Sequence, residues 1–155
     1  MLVHIDLQNT IDSKRLPEIS KIQTWLTITL KKIDVVVEQP EVTIRVVSIE
    51  ESQQLNLAYR EKDKPTNILS FPFEAPEMIP IQELGGFLGD LVVCEQIVID
   101  EANLQNKSLE SHWAHMLVHG VLHLKGFDHV DEKDAEQMEM IEVKILNELG
   151  YSNPY

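Results

Sequence analysis

The chain has 155 residues, the size of one ordinary domain, and a single cysteine, Cys94. A single thiol excludes intramolecular disulfide bonds, cysteine-based zinc knuckles and CxxC redox centres. Apolar residues make up 43% and charged residues 25%, which is typical of globular proteins and excludes a disordered or coiled-coil chain. We therefore expect a single domain over residues 1–155 with its own hydrophobic core.

The net charge of −13 is concentrated in the second half of the chain. Residues 1–73 contain nine Lys and Arg against ten Asp and Glu, whereas residues 74–155 contain four against sixteen. A polyanion would therefore be repelled by one face and can still approach the other. No apolar run approaches the ~18–20 residues that span a bilayer, and the first ten residues do not have the pattern of a signal peptide. We expect a cytoplasmic protein without a membrane anchor.

Hydrophobic periodicity predicts strands and helices in alternation. In chain order these are a strand at 2–8, a helix after Pro17 through 33, a strand at 42–49, a helix from about 48 to 59, strands at 67–73 and 86–94, and helices at 95–104, 108–124 and from about 131 to 149. Gly89 is a candidate β-bulge, and 74–84 a long loop. This order predicts an α+β fold with a mixed sheet of about four strands, packed by about five helices.

Five of the six histidines lie between positions 112 and 129. His119 and His123 are one turn apart on one face of the predicted helix, so both imidazoles can reach one ion. Gly126 can adopt a positive φ and reverse the chain, which brings His129 toward the pair. Three protein ligands leave the fourth tetrahedral position open for water, as in catalytic zinc sites. We predict one zinc ion here, at the end of a central helix, although three histidines also accept nickel, cobalt or copper.

His115 also lies near this face, and it must be weighed as a ligand. It is about 12 Å from His123 along the helix axis, too far for the two to share one ion. The ion must therefore pair His119 with either His115 or His123, and only the second pair is followed by a glycine turn and another histidine. His115 is then either a tentative catalytic residue that touches substrate or an inert surface histidine. His112 and His4 are predicted to be inert.

The spacing H-x-x-x-H-x-x-G-x-x-H is that of the metzincin metalloproteases, in which Glu directly follows the first histidine. That Glu is the general base that activates water for peptide hydrolysis. Here the position is Gly120. The ligands are present and the base is absent, which disfavours peptide hydrolysis. A zincin-like metallopeptidase stays open as an alternative if another carboxylate supplies the base.

Two further blocks accompany the histidines. The first is LNLAYR at residues 55–60 with KDKPTNILSFPF at 62–73, and the second is LGDLVVC at 88–94. Together with the histidine motif, these blocks resemble the YbeY family of bacterial endoribonucleases, also called rRNA maturation factors.

The resemblance implies a metal-dependent, single-strand-specific endoribonuclease that acts in 16S rRNA processing and ribosome quality control. It also implies a zinc-like ion on His119, His123 and His129, with Arg60 as a functional residue in the same cleft. By the same resemblance, the expected partners are single-stranded rRNA, the small ribosomal subunit and a ribosome-assembly GTPase. One alternative is a non-catalytic ribosome-assembly factor in which the metal only holds the C-terminal helices together.

Arg60 is suited to phosphoryl chemistry, because a guanidinium meets two oxygens at once and stays charged at every relevant pH. The alternative is that Arg60 only pairs with a neighbouring carboxylate, Glu61 or Asp63. Lys62 and Lys64 are expected to hold the phosphate backbone without reading the RNA sequence.

The remaining candidates have two interpretations each. Asn67 and Ser70 either donate hydrogen bonds to RNA phosphate or satisfy loop backbone. Phe71 and Phe73 would stack bases if exposed, but the alternating strand pattern favours burial in the core. Asp128 either orients a histidine through its second ring nitrogen or caps the final helix. We expect the acidic residues of that helix to form a solvated face rather than ligands: Asp134, Glu136, Glu139 and Glu142.

Overall fold

A computed structural model describes residues 1–74, 77–78, 86–128 and 130–155. Within these residues the strands are β1 (His4–Asn9), β2 (Pro40–Val47), β3 (Ile68–Pro72) and β4 (Gly86–Cys94). The helices are α1 (Ile19–Lys32), α2 (Ile49–Arg60), α3 (Glu95–Leu104), α4 (Leu109–Leu124) and α5 (Glu132–Glu148). The predicted α+β class, with a four-stranded mixed sheet and five helices, is confirmed. Most of the predicted loop at 74–84 lies outside the described residues.

The strands form one sheet in the order β1-β2-β4-β3. β1, β2 and β4 are parallel, and β3 pairs antiparallel with β4 at the edge of the sheet. The register between β2 and β4 shifts next to Gly89, whose φ is +143°. A Cβ atom there would lie 2.4 Å from the carbonyl oxygen of Phe71, so only glycine fits. The predicted bulge is confirmed, with Leu88 as its extra residue next to Gly89.

The two faces of the sheet are covered differently. Alternate strand residues point to opposite faces, so Leu91 and Val93 enter the main core while Val92 enters a smaller cluster. Leu55 of α2 packs on that smaller cluster. The main core contains apolar residues of α1, α4 and α5. Helix α2 therefore lies on one face of the sheet, and α1, α4 and α5 lie on the other.

Helix α4 runs through the main core, and it is buried on nearly every side. Gly120 of α4 faces the sheet. A Cβ atom added there would lie 2.8 Å from both Ile68 Cδ1 of β3 and Leu91 Cδ2 of β4. The glycine thus allows α4 to approach the sheet closely, with β3 beside the helix.

The ends of α4 follow from local chemistry. The Ser108 hydroxyl accepts the Ser111 N–H at 3.1 Å, which caps the first turn. At the other end the Gly126 N–H donates to His123 O and the Phe127 N–H to Leu122 O, both at 3.0 Å. With φ of +92° at Gly126, these are the two bonds of a Schellman motif. The predicted chain reversal at Gly126 is confirmed.

Two other helices begin at side-chain caps. The Glu51 N–H donates to the Ser48 hydroxyl at 3.2 Å, as the sequence predicts for the start of α2. Helix α5 is capped by Asp131, whose carboxylate accepts the Asp134 N–H at 2.8 Å. The alternative in which Asp128 caps α5 is therefore wrong. None of the helices in the described part of the chain is long and apolar enough to cross a membrane.

Candidate functional site

A cleft of about 850 Å³ opens where the end of α2, strand β3 and the end of α4 meet. It brings together Arg60 from α2 with His119 and His123 from α4, although about 60 residues separate them in the chain. Asn67, Ser70 and Asp128 also line it. Lys62 and Lys64 are exposed on the loop that follows Arg60 and do not line the cleft. His129 lies outside the described residues.

The two cleft histidines converge as the spacing predicts. Nε2 of His119 lies 3.0 Å from Nε2 of His123, and the ring centroids are 4.6 Å apart. Two nitrogens bound to one tetrahedral zinc ion are about 3.3 Å apart, so this pair fits a shared ion. Among the described residues, which do not include His129, no group of three His, Cys, Asp or Glu is placed to hold a metal. The third ligand stays a prediction.

A buried carboxylate lies directly behind His119. Glu142 of α5 is fully buried, and its Oε1 is 2.6 Å from His119 Nδ1. Its Oε2 is 2.9 Å from His115 Nε2 and also accepts the hydroxyl of Tyr155. Burial by itself raises the pKa of Glu142, but the hydrogen bonds from His115 and His119 outweigh it and lower the pKa to about 2. The ionised carboxylate can only accept, so all three partners donate to it.

Arg60 is the last residue of α2, and its side chain is exposed at the rim of the cleft. Among the described residues, no carboxylate lies within 4 Å of its guanidinium. The Asp63 carboxylate instead accepts Gln53 Nε2 at 2.9 Å. The structure therefore does not contain the ion pair with Glu61 or Asp63 that the sequence left open, and the guanidinium can meet an anion in the cleft.

Comparison with known families identifies the chain. The sequence profile described as endoribonuclease YbeY matches residues 5–150. The chain belongs to the YbeY endoribonuclease family. This membership supports an rRNA-processing endoribonuclease, a hydrolase that acts on RNA.

A solved structure is similar to this YbeY family member over most of its length. The solution structure of TM1509 from Thermotoga maritima is 28% identical, with a TM-score of 0.59. The match covers 95% of this chain and 88% of that protein. The α+β architecture therefore agrees with that of an experimentally determined protein.

Two sequence-based assignments near the histidines need correction. Glu142 was expected on the solvated face of α5, but it is fully buried between Met138 and Ile145 of the apolar face. His115 was expected to contact substrate or lie on the surface. Instead it is only 7% exposed, does not line the cleft and binds Glu142. Burial lowers the pKa of His115, which favours its neutral form.

The loop between α2 and β3 is held by side chains of α2. Asn56 Nδ2 donates to the carbonyl of Lys64 at 2.8 Å, and the Ser52 hydroxyl bonds to both the carbonyl and the N–H of Thr66. These partly buried bonds fix the path of the chain from Arg60 to β3. They position the loop that carries Lys62 and Lys64 beside the cleft.

Asn67, directly before β3, and Ser70 of β3 form hydrogen bonds within the protein. Asn67 Nδ2 donates to both carboxylate oxygens of Glu101 at 3.2 Å, and its Oδ1 accepts the Ile68 N–H at 2.7 Å. The Ser70 hydroxyl donates to the carbonyl of Gly120 at 3.3 Å. These contacts favour the structural interpretation of both residues over direct contact with RNA phosphate.

Aromatic side chains form one wall of the cleft. Tyr59 is 67% exposed, and its ring meets Phe71 edge-on with centroids 5.0 Å apart. Phe73 is 43% exposed and contacts Phe87, while Phe71 is half-buried. The expected burial is confirmed in part for Phe71, which packs on the smaller core cluster, and is wrong for Phe73, which follows the end of β3 and is exposed. Tyr59 was not among the site residues predicted from the sequence, although it directly precedes Arg60 at the end of α2.

Proposed function

We propose that this chain is a metal-dependent, single-strand-specific endoribonuclease that cleaves rRNA in the cleft. The observation that carries the proposal is the meeting of Arg60, without a carboxylate partner in the described chain, with the converging His119 and His123. Processing of 16S rRNA and ribosome quality control are the proposed roles. The proposed partners are the small ribosomal subunit and a ribosome-assembly GTPase.

One zinc ion is the proposed cofactor, with His119, His123 and His129 as the residues that would hold it. When bound, such an ion lowers the pKa of a water ligand toward neutrality and polarises a phosphoryl oxygen. The 3.0 Å separation of the two described Nε2 atoms supports this assignment. Other divalent transition metals suit the same imidazole set.

Arg60 is proposed to stabilise the transition state. In-line attack on a phosphodiester, by water or by the 2′-hydroxyl of the RNA, builds negative charge on the oxygens of phosphorus. A guanidinium at the rim can meet two of those oxygens and stays charged throughout. A preorganised charge of this kind commonly contributes a rate factor of about 10²–10³.

The side chains around the cleft are suited to single-stranded RNA. An exposed ring such as Tyr59 can stack on a base only when that base has left its own helical stack. Lys62 and Lys64, on the anchored loop, are proposed to hold backbone phosphates next to the cleft. Together these residues favour an unpaired strand that lies across the opening from Tyr59 toward His123.

The metallopeptidase alternative is disfavoured by the position of Gly120. The protease base would have to stand where this residue packs against Ile68 and Leu91. Glu142 contacts His119, but it is fully buried and binds three donors with its two oxygens. Neither position offers a carboxylate to water in the cleft.

The metal-loaded protein, incubated with unstructured RNA and with denatured casein, separates the two activities. We expect cleavage of RNA alone; cleavage of casein alone would refute the proposal. His119→Ala is expected to stay folded by circular dichroism and to lose RNA cleavage. His4→Ala is the matched control, since His4 is exposed on the opposite edge strand, β1. If His119→Ala unfolds and the metal-stripped parent chain unfolds as well, the metal is structural and the non-catalytic assembly factor gains support.

The role of Arg60 is tested by Arg60→Glu, with Lys14→Glu as a control that makes the same change of charge. Lys14 is also exposed, and it does not line the cleft. We expect Arg60→Glu to lower the cleavage rate by at least about 100-fold. The control should cleave at close to the parental rate. An Arg60→Glu variant that cleaves RNA at the parental rate would remove the assignment.

A further inference from the structure

The contact between Glu142 and His119 determines which ring nitrogen of His119 faces the cleft. An ionised carboxylate accepts hydrogen bonds and donates none, so Nδ1 of His119, 2.6 Å from Oε1, is a donor, and in the neutral ring Nδ1 holds the only proton. Nε2 then carries the lone pair, and this is the atom that lies 3.0 Å from Nε2 of His123. Only a nitrogen with a lone pair can bind a metal.

The carboxylate is itself held in place. Its second oxygen accepts from His115 Nε2 at 2.9 Å and from the Tyr155 hydroxyl. Met138 and Ile145, 1% and 0% exposed, flank Glu142 on the same face of α5. A carboxylate without exposure to water and with three donors has little freedom to turn.

His115 shows that the carboxylate also selects tautomers. Because Nε2 of His115 donates to Glu142, the neutral ring leaves a lone pair on Nδ1. That Nδ1 is buried and has no hydrogen-bond partner among the described residues. The bond to Glu142 is therefore formed although it leaves the other ring nitrogen unsatisfied.

We propose that Glu142 is a positioning residue of the metal site: it fixes His119 with its proton on Nδ1 and holds the ring so that Nε2 meets that of His123. This inference rests on the proposed function, because it gives the carboxylate a role toward the zinc ion. Carboxylates behind a histidine ligand fix its tautomer and orientation, and their loss commonly weakens metal binding by about 10–100-fold. His115 and Tyr155 serve the site indirectly, since they hold the second oxygen of Glu142.

The arrangement also links two elements of the site. Glu142 ties α5 to α4, and the chain between these two helices contains His129. The contact therefore connects the helix that carries His119 and His123 to the last helix of the fold. A purely structural Glu142 would stabilise this docking without any effect on the tautomer of His119.

The substitution Glu142→Gln separates these possibilities because it keeps the size of the side chain. An amide presents one acceptor and one donor to two ring nitrogens that both donate in the parent chain. One histidine must then lose its hydrogen bond or move its proton to the other nitrogen. Glu139→Gln is the matched control, the same chemical change at an exposed position of α5.

Two measurements test the proposal. Long-range ¹H–¹⁵N correlation spectra of the metal-free protein report which nitrogen of His119 carries the proton, and competition with a chromophoric chelator reports the zinc dissociation constant. We expect the proton on Nδ1 in the parent chain. We expect zinc binding about 10–100-fold weaker in Glu142→Gln and unchanged in Glu139→Gln.

A parent His119 with its proton on Nε2 would overturn the proposal, and so would unchanged zinc affinity in a folded Glu142→Gln variant. The spectrum of the parent chain needs no substitution, so it decides the question even if Glu142→Gln does not fold. If the parent chain binds no zinc, the metal site of the proposed function fails. The proton position then still decides whether Glu142 positions His119.

Discussion

The buried carboxylate makes a specific prediction about two tyrosines near the end of the chain. Tyr155 donates its hydroxyl to the fully buried Glu142, whereas Tyr151 donates its hydroxyl at 3.0 Å to Glu110, whose side chain is 41% exposed. Replacing either tyrosine with phenylalanine removes one oxygen atom and one hydrogen bond to a carboxylate. The two substitutions differ mainly in the burial of the acceptor.

The magnitude follows from that difference. A hydrogen bond to a charged group contributes about 1.5–3 kcal/mol, and a buried acceptor cannot replace it with water. Tyr155→Phe should therefore lower the free energy of unfolding by about 1.5–3 kcal/mol. Tyr151→Phe should cost no more than about 1 kcal/mol, because water can take the place of the hydroxyl at Glu110.

Urea unfolding of the two metal-free variants and the parent chain measures both changes. For a chain of this length, the larger change lowers the melting temperature by about 3–12 °C. Equal and small effects of the two substitutions would refute the reasoning. Such a result would mean that Tyr155 leaves the Glu142 contact in solution.

Three further predictions concern Gly120, the cleft residue Tyr59 and the buried carboxylate of Glu142. Gly120→Glu restores the protease pattern, but it forces the new carboxylate against the sheet. We expect thermal unfolding to show a loss of stability of about 4 kcal/mol or more, and the variant should not cleave casein. Tyr59→Ala should weaken single-stranded RNA binding by about 1–3 kcal/mol in fluorescence anisotropy titrations, whereas Leu57→Ala, which is exposed on α2 outside the cleft, should leave it unchanged. The pKa of Glu142 is lowered from 4.5 to about 2, so its stabilisation is complete above about pH 5 and lost as the pH falls toward 2. Chemical unfolding across this range should show a loss of stability in the metal-free parent that is about 3 kcal/mol larger than in Glu142→Gln, because the other carboxylates of lowered pKa titrate in both chains.

Much of the local structure could be predicted because single residues decide it. Helix α4 begins at the Ser108 cap and ends just before Gly126, and both signals are plain in the sequence. The spacing of His119 and His123 likewise fixes their shared face. The order of the strands is a different matter, since it depends on which buried faces meet in space. Hydrophobic periodicity along the chain does not indicate which strands are neighbours in the sheet.

The composition of the site was harder to predict. Arg60 is about 60 residues from His119, and only the family resemblance related the two before the fold was known. Glu142 was missed because acidic residues on an amphipathic helix are usually solvated. The spacing did contain a signal, because Glu142 is four residues after Met138 and three before Ile145, on the face that enters the core. A charged residue at an apolar position of a helix pattern indicates a buried side chain with hydrogen-bond partners.

The central claim is that a metal held by the histidines enables RNA cleavage in this cleft. It is tested most directly by the cleavage rate of an unstructured RNA oligomer after the protein has been stripped by a chelator, and again after zinc is added back. We predict that the stripped protein is inactive and that one equivalent of zinc per chain restores the rate. Full activity in protein shown by elemental analysis to contain no metal would contradict the claim.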